Sequence, residues 1–91
     1  METEVFQFTA AGEIKVVLNG VEHLLRRPRA RQSLKFEQEL QEAIKGSRPL
    51  TITMVDFIVE CGMNRDVVLD EMDLDLINEL TTALIQGKKK S

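Results

Sequence analysis

The imidazole of His23 and the thiol of Cys61 are the side chains best suited to nucleophilic chemistry in this 91-residue chain, and each is the sole residue of its type. Nucleophilic catalysis would need them side by side, with a third group to orient the imidazole. Each has a plainer role. His23 falls on the apolar face of a hairpin, where a satisfied, buried imidazole is expected. Cys61 closes an apolar helix beside Gly62, where a free thiol serves as a small hydrophobe. One cysteine excludes an internal disulfide, and with a single histidine it cannot complete a zinc knuckle. A reducing compartment is the simple inference. The acids from Asp66 to Glu79 could suggest calcium, but Val67, Val68, Leu69, Met72 and Leu74 interrupt them at helical spacing and the central glycine of a calcium loop is missing. No catalytic residue, cofactor site or metal ligand is assigned, and no enzymatic activity is expected.

The remaining chemistry is recognition. Arg26, Arg27, Arg29, Arg31 and Lys35 form the one basic cluster and could grip phosphates. Against nucleic acid stand the absence of Tyr and Trp as stacking platforms and the net charge of −3. A duplex would also repel Asp66, Asp70, Glu71, Asp73, Asp75 and Glu79. An acidic protein surface, that of another copy included, suits these arginines better. The net charge hides a separation: residues 1 to 36 carry six basic and four acidic side chains, whereas residues 37 to 79 carry three basic and eleven acidic. Such bipolarity favours head-to-tail packing or a basic partner, although a solvated charged surface explains it equally.

These residues are positioned by a short β-region and a run of helices. Val5, Phe6 and Phe8, followed by Ala10-Ala11-Gly12, predict a strand and turn. Asn19-Gly20 predicts a two-residue type I′ hairpin with Leu18 opposite Val21, Val16 opposite His23 and Ile14 opposite Leu25 on the dry face. Pro28 ends the hairpin and opens a first helix running to Lys45, with Gly46 as its cap and Leu34, Phe36, Leu40, Ala43 and Ile44 as its apolar stripe. After Ser47-Arg48-Pro49, Thr51 or Thr53 caps a second helix ending near Cys61, the most buried of the set, with a strand as the alternative assignment. Asn64 caps a short third helix to Glu71, and Asp73 caps a fourth to Gln86 with Leu76, Ile77, Leu80, Leu84 and Ile85 as its stripe.

The expected fold is a single α+β domain over residues 1–91, mainly α: a β-hairpin or three-stranded antiparallel meander over 1–27, three or four helices over 28–87, and a basic tail over 88–91. A core of this size leaves little net stability, so a partner or self-assembly is expected to add some. Met1 to Gln7 carries two acids and no signal-like apolar run, and nowhere do about 18 apolar residues follow one another. Neither export by that route nor insertion in a bilayer is expected.

The Leu24-Leu25-Arg26-Arg27-Pro28 exit, the Glu-rich first helix, the passage Gly62-Met63-Asn64-Arg65-Asp66-Val67-Val68-Leu69-Asp70-Glu71-Met72-Asp73-Leu74 and the closing Gly87-Lys88-Lys89 occur in an order that resembles the tail assembly chaperones of long-tailed bacteriophages. The resemblance extends from Phe6 to Lys90, and its strength lies in the order of the parts. It implies a non-enzymatic phage or prophage protein of the host bacterial cytoplasm, absent from the finished virion, that binds tape measure protein and tail tube subunits. The family often makes a longer form by ribosomal frameshifting. Lys88-Lys89-Lys90 is compatible with an A-rich slippery run, and equally with a solubilising tail. Partner binding is then expected at Arg26, Arg27, Arg29 and Arg31, and on a groove left open by Phe36, Leu40, Ile77, Leu80 and Leu84, with Met54, Met63 and Met72 making it adaptable. All of these apolar residues could instead be plain core. The alternatives in other classes are a small virion structural or connector protein and a nucleic-acid-binding regulator.

Overall fold

Residues 6–8 and 12–86 are described in the computed structural model; Val5, Thr9 to Ala11 and the basic tail lie outside the described residues. The order is β1 (Phe6–Phe8), β2 (Glu13–Leu18), β3 (Val21–Arg26), α1 (Ala30–Ile44), α2 (Leu50–Glu60), α3 (Arg65–Glu71) and α4 (Leu74–Gln86), an α+β architecture that is mainly α. The strands form one antiparallel sheet in the order β1-β2-β3, so the meander alternative applies.

The turn sets the sheet. Asn19 at φ 50° and Gly20 at φ 80° give both central residues the positive φ that a type I′ turn demands. All six β2–β3 pairs, from Leu18 opposite Val21 to Glu13 opposite Arg26, match the register expected from the sequence. Ile14, Val16, Leu18 and Leu25 are buried on the dry face. Val21 and His23 share that face but lie toward its open margin: Val21 is exposed and His23 half-buried. The buried imidazole expected from the alternation is therefore corrected, because β3 is an edge strand and the helices cover only its Leu25 end.

Two helix starts differ from expectation. α1 begins at Ala30, with Pro28 one residue outside the cap; Arg29 is extended and its amide donates to the side-chain oxygen of Gln32 at 3.0 Å. α2 begins at Leu50 behind Pro49, and neither Thr51 nor Thr53 caps it. Thr53 is inside the first turn, fully buried, donating to the Pro49 carbonyl at 2.9 Å and accepting from Arg48 Nε at 2.9 Å. A buried hydroxyl thus finds two partners, which is why a polar residue is tolerated there.

The other boundaries lie where their sequence signals place them. Asn64 Oδ1 accepts from the amides of Asp66 and Val67, and Asp73 Oδ1 accepts from Leu76. α1 and α2 both end in the paired Schellman bonds: Ser47 N–H to Glu42 O and Gly46 N–H to Ala43 O, then Met63 N–H to Ile58 O and Gly62 N–H to Val59 O.

α2 is the central helix, packed on α1, α3 and α4, and it buries Thr53, Met54, Val55, Phe57 and Ile58. The Phe57 ring stacks on Phe36 of α1 with centroids 4.2 Å apart. One apolar cluster joins the sheet face, α2 and the Ile77-Leu80-Leu84 side of α4. The stripes are narrower than expected: Leu34 and Ile44 of α1 and Ile85 of α4 point out of the core, since only one row of each helix meets α2 or the sheet. On α4 the inner row is completed by Thr81, whose hydroxyl donates to Ile77 O at 2.8 Å, and by Ala83. Leu80→Ala is expected to cost about 2–5 kcal/mol in urea denaturation, whereas Ile85→Ala, one turn on but outside, should change stability by less than about 1 kcal/mol.

Candidate functional site

The basic cluster sits at the base of the hairpin, where β3 gives way to α1. An antiparallel edge strand turns alternate amides outward, and that of Arg26 donates to the Cys61 carbonyl at 2.9 Å. This draws the α2–α3 turn against β3. Gly62 has φ 124°, a backbone conformation that favours glycine, while a Cβ there would stand at ordinary contact distance, 3.5 Å, from the Leu24 carbonyl oxygen. Between β3, this turn and the start of α1 opens a cleft of about 700 Å³, lined by Leu24, Arg26, Arg27, Arg29, Gln32 and Glu60 among others.

The cations of the cluster are not equivalent. Arg27 reaches across to the end of α4, donating from Nε to Leu84 O at 3.3 Å and from its terminal nitrogen to Ile85 O at 2.9 Å. It serves carbonyls that the helix itself leaves unpaired, at the negative end of the helix dipole. Lys35 is paired with Glu60 at 2.9 Å, and that hydrogen bond raises its pKa. Arg26, Arg29 and Arg31 are exposed, and their guanidinium groups meet no carboxylate in an ion pair among the described residues. A charge clasp of another kind holds the helices elsewhere. Arg48 contacts Glu39 of α1 and Asp56 of α2, each at 3.4 Å, and Asp56 also holds Arg65 of α3 at 2.8 Å.

The structure corrects the expected client groove. Phe36, Ile77, Leu80 and Leu84 are at most 4 % exposed and belong to the core; only Leu40 is half-buried. Met54, Met63 and Met72 are core as well. These side chains carry the packing of α1, α2 and α4 on one another and on the sheet, so a client cannot reach them in this fold. Apolar side chains open to a partner lie elsewhere: Val21 and Leu24 on β3, Leu34 and Ile44 on α1, Leu50 and Ile52 at the start of α2, Leu69 and Leu74 where α3 meets α4, and Ile85 near the end of α4.

Cys61 is buried, and desolvation, followed by the charge of Glu60, pushes its thiol from the ordinary 9.0 up to about 12. A thiol so protonated at neutral pH is no nucleophile. Among the described residues no three His, Cys, Asp or Glu side chains are grouped to hold a metal ion, and no helix is long and apolar enough to cross a membrane.

Two features escaped the sequence. Arg27 acts on residues 57 and 58 positions away, and Asn19 donates from its amide to Glu71 at 2.6 Å, 52 positions away. Nothing local marks either contact. Gly62 directly after an apolar helix marked where that helix ends, but not the strand that lies against the turn. Comparison of the chain with protein-family models, with curated proteins and with solved structures finds no match.

Arg27→Ala should lower stability by about 1 kcal/mol and speed amide exchange in the last turn of α4, with Arg27→Lys recovering only part of the loss because an ammonium lacks the planar fork. The Cys61 thiol gives a second expectation. Because its folded pKa is raised, the unfolded chain releases the proton first: stability is intact below pH 9 and falls toward pH 12 by about 1 kcal/mol per unit. Urea midpoints at pH 8 and pH 10 check this, since Cys61→Ala should remove that part of the decline.

Proposed function

We propose that the chain is a non-enzymatic tail assembly chaperone of a long-tailed phage or prophage, binding tape measure protein and tail tube subunits in the host cytoplasm. The ordered residue passages from Phe6 to Lys90 support this reading, as does a surface suited to holding a polypeptide. The observation that carries it furthest is the apolar patterning at the α1–α2 turn. Ile44 is 69 % exposed at the end of α1, and Leu50 and Ile52 are 45 % and 43 % exposed at the start of α2, all within nine residues of chain. Open aliphatic side chains at one end of a helical hairpin, with Lys45 and Arg48 between them in sequence, provide an apolar footing with a charged rim for an amphipathic client helix. Phe36, Ile77, Leu80 and Leu84 are buried and serve stability, so the proposed client surface is this turn instead.

A second reading has one observation in its favour. Arg26, Arg29 and Arg31 are exposed and unengaged by acids among the described residues, the disposition a nucleic-acid regulator would use. The charge opposing it is the acidic α3–α4 region.

Co-expression with a tape measure fragment separates them. The parent should retain the fragment on affinity capture, and Ile44→Asp combined with Ile52→Asp should lose at least about tenfold in retention while keeping the parent's thermal transition. Equal retention by the doubly substituted chain would sink the proposed surface. Salt-sensitive retardation of a DNA duplex, abolished by neutralising Arg26, Arg29 and Arg31, would favour the regulator instead.

A further inference from the structure

Two helix ends in this molecule carry charges that oppose their own backbone. The first turn of α1 holds no acid, and Arg29 and Arg31 stand at its positive end. The last turn of α3 holds no base, and Asp70 and Glu71 stand at its negative end. Both placements run against the helix dipole. Of the four, Glu71 alone has a donor at its side chain, the Asn19 amide. Conflicts between a local choice and its own element are expected at functional or strained sites.

The two ends lie apart. Asn19 at the hairpin tip touches Glu71, while Arg26 is at the hairpin base, so the six residues of β3 separate them by about 17 Å. α4 gives the same answer by another route: Asp73 and Asp75 are at its start and its last carbonyls rest on Arg27, a span of about 20 Å. Both lengths exceed the screening distance of about 8 Å at physiological salt, so the poles act separately.

They also differ in shape and match in composition. The basic pole is the cleft of about 700 Å³ that Leu24, 55 % exposed, lines together with Arg26, Arg27 and Arg29, with Arg31 beyond its lining in the first turn of α1. Of the acids lining it, Glu60 is held by Lys35, and Glu13 stands opposite Arg26 across the hairpin. The acidic pole is a helix corner, where Leu69 and Leu74 are each 52 % exposed and are bordered by the exposed Asp70 and Asp75.

We propose that these are the two halves of one contact between copies of this chain: the α3–α4 corner of one molecule seats in the basic cleft of another. Leu69 and Leu74 meet Leu24, and Asp70 and Asp75 meet Arg26, Arg29 and Arg31. A nucleic acid would satisfy the arginines but offers nothing to Leu24 and nothing to the acidic corner. A second copy answers both poles at once. Made once between two copies, the contact is heterologous and builds a head-to-tail row; made twice, it closes an isologous two-fold pair. It does not depend on the identity of any client.

Sedimentation velocity on the full chain tests it. At about 0.02 M salt the weight-average mass should rise with concentration, and the association constant should fall by at least about tenfold by 0.3 M. An Arg26→Glu, Arg29→Glu, Arg31→Glu variant and an Asp70→Lys, Asp75→Lys variant should each be monomeric alone, because each has poles of one sign. Mixed in equal amounts they should associate again, the native cleft of one taking the native corner of the other. If a reversed variant loses its cooperative melt, Arg29→Gln with Arg31→Gln and Asp70→Asn with Asp75→Asn replace it, each expected to weaken association about tenfold. A wild-type chain that stays monomeric at low salt, an association indifferent to reversal of either pole, or a mixture that fails to associate overturns the proposal.

Discussion

The arrangement of sheet and helices depends on what two consecutive residues do at the end of β3. The Arg26 amide points away from β2 because the ladder alternates, and it is satisfied by the carbonyl that closes α2. The next residue, Arg27, sends its guanidinium to the carbonyls that close α4. Two adjacent residues therefore fasten the edge of the sheet to the ends of two helices. Both helix ends would otherwise present unpaired acceptors in a crowded place, and both are answered by donors the strand has no other use for. With these ends tied, Leu25 is drawn under the helices while Val21, at the other end of the same strand, stays in solvent.

The rest of the packing follows from the choice of α2 as the middle layer. Its apolar residues run nearly all round the helix, so it can meet the other three helices while the core cluster also takes in one face of the sheet. The neighbours need only one row each to cover it. That economy leaves aliphatic side chains on α1, α2 and α4 outside the core, and it decides which residues are available for recognition. Polar groups close to the core are dealt with individually: Thr53 has two partners, Thr81 bonds back along its own helix, and among the described residues no buried side-chain polar atom lacks a partner. The Glu39-Arg48-Asp56-Arg65 chain then spans α1, α2 and α3 from the partly solvated side. Exposed pairs of this sort stabilise weakly and mainly set geometry.

Much of the fold was legible because its signals are local. Asn19-Gly20 specified the turn, the turn specified the register, and the register specified which strand residues share a face. Asn64 and Asp73 each accept from amides two or three residues on, so their caps could be read without knowing the rest of the molecule. Pro28 and Pro49 were harder, since proline suits several positions around a helix start and its neighbours' bonds decide among them. The partner surface was the least legible part. Periodicity shows that Phe36 and Ile44 lie on related faces of α1, but which one is 3 % exposed and which 69 % depends on where Phe57 sits. Arg27 looked like one of five similar cations; only the fold shows that it is committed to α4 and that Arg26, Arg29 and Arg31 are not.

The hairpin tip has a chemical lifetime of its own. Asn-Gly is the pair in which a backbone amide most readily attacks the preceding side-chain carbonyl, releasing ammonia and leaving aspartate or isoaspartate, and asparagine is among the thermolabile residues for this reason. Here the amide that would be lost is the donor gripping Glu71. Deamidation would replace that donor with a second anion facing the first, so an ageing molecule would shed the strap between hairpin and α3 while the core beneath stayed closed.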